Sequence, residues 1–126
     1  MPAGNDLLIV GVDDDPKSLV LLKRIVESGG FTFQGVSSGK DLLKLLKTKR
    51  PRIILMDIMM PEMDGYEAMA HIRSQPRFAA LPVLALTAKA MKDDRAKCLD
   101  AGANDYCSKP IDMSKLTSLM RVWLHK

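Results

Sequence analysis

The chain is poor in cysteine, in aromatic residues and in long apolar runs, and each shortage removes a class of protein. Two cysteines, Cys98 and Cys107, lie in stretches that read as regular structure. Without metal-ligand spacing they make neither a zinc site nor a disulfide framework, and they are expected as core or half-buried thiols. No apolar stretch approaches the roughly 20 residues that cross a bilayer, and Met1 to Asp6 has neither the basic nor the apolar region of a secretory leader. Membrane insertion is therefore not expected, and the expected compartment is cytoplasmic. Aromatic residues make up 5% of the chain, so the basic residues behind its net charge of +4 have little aromatic company. They are spread along the sequence without a recognition motif, and direct nucleic-acid binding is not expected. Repeats, low-complexity segments and a long linker to an output domain are also lacking.

What is present is an alternation of two periods. The 126 residues, 47% of them hydrophobic, suffice for one sizeable core and leave no room for a second, so residues 1–126 read as a single domain. Short apolar runs predict strands at Leu7 to Val12, Thr32 to Val36, Ile53 to Met56, Val83 to Leu86 and Asp105 to Ser108. Stretches of helical period lie between them, which predicts an α/β fold: a doubly wound, five-stranded parallel sheet with five helices on its two faces. The first helix is expected to take Asp15 as N-cap and Pro16 as its first residue, to stop at Gly29-Gly30, and to turn Leu19, Leu22, Ile25 and Val26 inward. Helix two is expected over Lys40 to Thr48, helix three over Gly65 to Ser74, and helix four over Met91 to Ala101, ending at Gly102. The last helix should follow a cap at Asp112, with Leu116, Leu119, Met120 and Trp123 on its apolar side. Lys40, Lys44 and Lys47 recur opposite Leu42, Leu43, Leu45 and Leu46. This is the pattern of a solvated helix face, with docking of an acidic partner as the alternative.

Ligands of an open parallel sheet collect beyond the carboxyl ends of its strands. The residues at those ends are Asp13 and Asp14, then Asp57, Thr87 and Lys109. Carboxylates gathered there repel one another unless a cation lies between them, and all-oxygen ligation suits Mg2+ or Mn2+. A cation site, a nucleophilic carboxylate, a hydroxyl and an ammonium together suit a transferring phosphoryl group. An anionic nucleophile and an anionic phosphoryl group can meet only where positive charge neutralises them. The first turn offers Asp13, Asp14 and Asp15 in place of the glycine-rich amides of a phosphate cradle, which argues against nucleotide storage there.

Four motifs, Val12-Asp-Asp-Asp15, Asp57-Ile-Met-Met-Pro-Glu-Met-Asp-Gly65, Leu86-Thr-Ala88 and Ser108-Lys-Pro110, occur in this order. With them the chain resembles the receiver domain of two-component response regulators, from about Leu7 to Leu124. The resemblance implies the flavodoxin-like strand order 2-1-3-4-5. It also implies a phosphoacceptor signalling domain that autodephosphorylates slowly, without turnover of a separate substrate. Asp57 matches the phosphoacceptor, which takes its phosphoryl group from a phosphohistidine of a histidine kinase or histidine phosphotransfer protein. Asp14 matches the acid that ligates Mg2+ directly, Asp13 the acid that assists, often through water, and the backbone carbonyl of Met59 a further ligand. Thr87 matches the hydroxyl that binds a phosphoryl oxygen. Lys109 matches the ammonium that contacts the acceptor and then the phosphoryl group, and the Lys109-Pro110 peptide is usually cis. Tyr106 matches an aromatic that turns inward when the threonine moves, reshaping a surface of helix four, strand five and helix five for a downstream protein, with simple cover of the sheet edge as the alternative.

A haloacid dehalogenase-type phosphohydrolase also forms an aspartyl phosphate on an α/β sheet. It requires another Asp two residues beyond the nucleophile, where this chain has Met59. Met59 and Lys89 flank the site where receivers vary and are expected to tune hydrolysis of the phosphate, with ordinary loop surface as the alternative; small Ala88 should leave the site open. Asp64-Gly65 reads as a turn and helix start, the nine methionines as adaptable packing, and His71 and His125 make no ligand pattern. Gly11, inside the first strand, should weaken it slightly or admit a close backbone approach. Both a free-standing regulator and the receiver piece of a hybrid histidine kinase fit this sequence, and the stretches Leu81 to Met91 and Cys98 to Tyr106 are similar to hybrid-kinase receivers.

Overall fold

Continuous apolar runs become strands here because helices cover both faces of the sheet. Strands β1 (Leu8–Val12), β2 (Thr32–Val36), β3 (Ile53–Asp57), β4 (Val83–Thr87) and β5 (Asp105–Ser108) form one parallel sheet in the order β2-β1-β3-β4-β5. The computed structural model describes residues 8–58, 65–87, 96, 99–109 and 111–124. Side chains alternate between the two faces, as the strand period requires. Leu8, Val10, Val12, Ile54 and Met56 enter one core with Leu42, Met69 and Ile72, which come from α2 (Gly39–Leu45) and α3 (Gly65–Arg73). Ile9, Ile53, Leu55, Leu84 and Cys107 enter the other with Leu22, Ile25 and Met120, from α1 (Pro16–Ser28) and the C-terminal helix (Met113–Leu124). Among the described residues no helix is long and apolar enough to cross a membrane.

The first helix forms as its sequence predicts. Asp15 Oδ1 accepts from the amide of Lys17 at 3.0 Å, a cap that contributes about 1 kcal/mol, and Gly30 turns the chain away at φ 88°. Leu22, Ile25 and Val26 are buried, each contributing about 1.5–3 kcal/mol. Leu19, expected inside, is only half-buried, because it stands over Gly35 of the edge strand β2, where cover is thinner.

Helix α2 starts at Gly39 behind a Ser38 cap that accepts from the Asp41 amide at 3.1 Å, and it stops at Leu45, three residues short of the expected end. Its tail tightens into a turn, with Lys47 N bonded to Lys44 O and Thr48 N to Leu45 O. The lysine face is exposed, and Leu42 and Leu46 are buried. Helix α3 ends at Arg73, one residue early. Of the expected fourth helix, Ala96, Leu99 and Asp100 are helical, and Ala101 with Gly102 forms the turn that ends it; the remaining positions, Cys98 included, lie outside the described residues. The Asp112 cap of the last helix is present, accepting from the Lys115 amide at 3.0 Å, and Trp123 Nε1 donates to Asp105 Oδ2 at 3.4 Å.

Gly11 admits a close side chain rather than a close backbone, which corrects the second of the two expectations for it. A Cβ at Gly11 would stand 2.6 Å from Phe33 Cζ, and one at Gly35 3.1 Å from Phe33 Cε2. The two glycines are register partners in β1 and β2, so together they make a slot that the Phe33 ring fills beneath α1.

Arg73 closes the opposite side of the fold. Its guanidinium donates to the carbonyls of Gly102 (2.7 Å), Phe78 (2.9 Å) and Leu81 (2.7 Å) and to Asn104 Oδ1 (2.8 Å). Asn104 Oδ1 also accepts from the Val83 amide at 2.9 Å. One side chain thus ties the end of α3 to the segments entering β4 and β5. Burial pulls its pKa below the ordinary value.

Candidate functional site

The strand order reverses between β1 and β3, and ligands of such sheets bind at that crevice. Val12 pairs with Met56 across it, so the next residues, Asp13 and Asp57, stand side by side at the strand ends. Carboxylate oxygens of Asp13, Asp14 and Asp57 lie within 4.8 Å of one another. Asp13 and Asp57 are buried, while Asp14 is exposed.

Asp13 is held from three directions. Its amide donates to Val36 O at 3.1 Å, its Oδ1 accepts from the Asp15 amide at 2.9 Å, and its Oδ2 accepts from Lys109 Nζ at 2.8 Å. Lys109 is placed by its own backbone, whose amide donates to Thr87 O at 2.7 Å. Its ammonium lies 3.6 Å from Asp57 Oδ1. The resemblance implies contact with the acceptor; the structure makes that the longer contact and Asp13 the nearer partner. No spacing in the sequence reveals this, since the partners lie 96 positions apart.

Charge decides what the cluster can hold. Burial alone would lower the Lys109 pKa, but the hydrogen bond to Asp13 and the charge of Asp57 outweigh it, and the net shift is upward from 10.5. Lys109 is therefore a cation at neutral pH. Among the described residues three carboxylates face one ammonium in a partly desolvated place, an excess of negative charge that favours a bound cation. The donors are all hard oxygens, and they fit Mg2+ or Mn2+.

Thr87 is buried at the end of β4. Asp57 pairs with Leu86, and Thr87 with Ser108, so Thr87 lies one position beyond the Asp57 partner on the adjacent strand. Tyr106 pairs with Ala85 and packs, half-buried, against the core under α2 and α3. Asp13, Asp14, Asp57 and Lys109 are thus brought together, Thr87 borders them, and Tyr106 lies further down the neighbouring strand. Met59, Asp64, Ala88, Lys89, Pro110 and His125 lie outside the described residues. His71 is exposed in the last turn of α3. Cys107 is buried, and desolvation raises its pKa, opposed by Lys115; it is a packed thiol.

Several known proteins share this arrangement of sequence and fold. The chain is 39% identical over 116 residues to an uncharacterized 14.6 kDa protein of Leptolyngbya boryana, covering 92% of this chain and 87% of that protein. It is 36% identical over 118 residues to the response regulator MprA of Mycolicibacterium vanbaalenii, covering 94% of this chain but 50% of that regulator. The chain thus spans about half the length of that relative. Among solved structures, the receiver domain of a sensor histidine kinase from Pseudomonas aeruginosa, with a magnesium ion coordinated in its active site cleft, superposes with a TM-score of 0.88 at 33% identity, covering 95% of this chain and 98% of that one. The family model described as the response regulator receiver domain matches residues 9–121, and with that match across most of its length the chain belongs to the receiver domain family of two-component response regulators.

Proposed function

We propose that Asp57 is the phosphoacceptor of this receiver and that Asp13, Asp14, Thr87 and Lys109 make the transfer feasible. The observation that carries the reading is the cluster at the β1/β3 crevice, three carboxylates within 4.8 Å of one another with Lys109 Nζ 2.8 Å from one and 3.6 Å from another. Asp13, Asp14 and Asp57 would hold Mg2+, with the Met59 backbone carbonyl as a further ligand, and the bound ion supplies charge neutralisation for phosphoryl transfer.

The donor is a phosphohistidine of a histidine kinase or histidine phosphotransfer protein. An Asp57 carboxylate oxygen attacks phosphorus, the P–N bond breaks, and its electron pair stays on the imidazole of the donor. Lys109 already lies between Asp13 and Asp57, so its ammonium can follow the charge from Asp13 to the new phosphoryl oxygens at little reorganisation cost. The Thr87 hydroxyl donates to a phosphoryl oxygen. Movement of Thr87 frees space toward Tyr106 and biases the surface of the expected fourth helix, β5 and the C-terminal helix, where a downstream protein docks. Leu99, 39% exposed, belongs to that surface.

Hydrolysis of the aspartyl phosphate is slow and returns the domain to its resting state, with Met59 and Lys89 setting its rate. We read residues 1–126 as one receiver domain acting in the cytoplasm, either alone or within a longer histidine kinase. Incubation with a histidine phosphotransfer protein carrying labelled phosphohistidine tests the reading. Label should move to this chain, become labile to hydroxylamine as an acyl phosphate does, and be absent from Asp57→Asn. Hydroxylamine-stable label, or equal labelling of the variant, overturns it. If Tyr106→Ala kept the full wild-type difference in affinity for a downstream protein before and after phosphorylation, the switch role of that residue would be removed.

A further inference from the structure

At the amino ends of the strands, remote from the carboxylate cluster, α1, the entry to β2 and the C-terminal helix enclose a cavity of about 350 Å3. Buried Ile25 and Met120 form its floor and half-buried Phe31 and Leu124 its walls, while exposed Arg52 and Arg121 complete the lining. Gly29 and the short Thr117, also in the lining, leave the space open. Among the described residues no carboxylate lines it.

The two guanidiniums are differently placed. Arg52 Nη2 donates to the Leu124 carbonyl at 3.3 Å, which carries the side chain across the end of the C-terminal helix. Arg121 enters no hydrogen bond or ion pair among the described residues. Planar guanidiniums match the geometry of carboxylate, sulfonate and phosphate oxygens, and an apolar floor beside them suits a hydrocarbon body. The volume is at the low end of the range of about 300–1,000 Å3 for small-molecule pockets, too small for a docked helix.

We propose that this cavity is a binding site for a small soluble amphiphilic anion, an aromatic or branched apolar body bearing one carboxylate, sulfonate or phosphate. The site is separate from the phosphoacceptor cluster, and the proposal stands whether or not Asp57 is phosphorylated.

The test is a titration of the isotopically labelled full chain with naphthalene-2-sulfonate, and with neutral 2-naphthol, followed by amide chemical shifts. The sulfonate should saturate with a dissociation constant on the order of 100 µM, with shifts centred on Gly29, Phe31, Thr117 and Arg121. The naphthol should bind at least about tenfold more weakly. Arg52→Gln with Arg121→Gln should weaken the sulfonate by about the same factor and leave the naphthol unchanged. Gly29→Leu should abolish both, because Gly29 has φ −87° and a Cβ there makes only an ordinary 3.4 Å contact with Phe31, so the larger side chain fills the space without strain. Circular dichroism of each variant confirms its fold. Scattered or unsaturable shifts, equal affinity for the two probes, or indifference to the variants overturns the proposal. So does arginine-dependent binding to phosphatidylglycerol vesicles without saturable binding of the free sulfonate, which would make the patch a lipid contact.

Discussion

Lys109 Nζ rests 2.8 Å from Asp13 Oδ2 and 3.6 Å from Asp57 Oδ1. Among the described residues, the cation at the site thus rests on the carboxylate that also accepts from the Asp15 amide. The remaining negative charge lies on Asp14 and Asp57, where the proposed function would place a metal ion and a phosphoryl group.

Removal of Lys109 should therefore separate metal binding from chemistry. Lys109→Ala leaves three carboxylates without their internal cation, so Mg2+ or Mn2+ should bind about three- to tenfold more tightly. Phosphorylation of Asp57 should nevertheless slow by about 100-fold or more, because the ammonium is lost from the transition state. Calorimetric titration with Mg2+ and the rate of phosphorylation check the two halves; weaker metal binding by the variant would contradict the charge assignment.

The same ammonium gives the domain a defined alkaline dependence. Its folded pKa lies above 10.5, since Asp13 and Asp57 outweigh the opposing effect of burial. A raised lysine pKa stabilises the fold fully below the unfolded value, and the contribution is lost as pH rises through the folded value. The difference in urea stability between the wild type and Lys109→Gln should be constant from about pH 7 to 9 and shrink above about 10.5. A difference that already falls between about pH 7 and 9 would contradict the ion pair.

In the slot beneath α1, Gly11→Val should destabilise the domain by about 2–3 kcal/mol, because its Cβ would strike the Phe33 ring. Phe33→Ala alone should cost about 3 kcal/mol as a cavity. The double variant should lose less than the two together by about 1 kcal/mol or more. Additive losses in denaturant unfolding would show that the ring and the glycine do not share the slot.

Arg73→Ala strands the carbonyls of Gly102, Phe78 and Leu81 and should cost about 2–4 kcal/mol. Arg73→Lys should recover less than half, since an ammonium cannot span acceptors arranged around a planar fork. Full recovery by lysine would mean that charge alone matters there.

The contrast between these residues shows what the sequence carries. The central strands β1, β3 and β4 were legible because fully buried parallel strands read as apolar runs, while the half-exposed β2 and β5, of mixed composition, keep their expected bounds. The acids and Lys109 were legible because they sit at strand ends within four ordered motifs. Arg73 was not: an arginine in the last turn of a helix reads as surface, and its acceptors are backbone carbonyls that no side-chain pattern marks. The Phe33 slot was hidden for a related reason. Its two glycines lie 24 positions apart and become neighbours only through the register of β1 with β2. The early end of α2 came from turn hydrogen bonds that override a continuing leucine pattern.

The most direct measurement is the intact mass of the chain after exposure to a small-molecule phosphodonor, with and without Mg2+, beside Asp57→Asn. A single phosphoryl adduct that requires Mg2+ and is missing from the variant is the predicted result. A folded wild type that binds Mg2+ yet gains no adduct, or an adduct of equal yield on Asp57→Asn, would contradict the assignment of Asp57 as the phosphoacceptor.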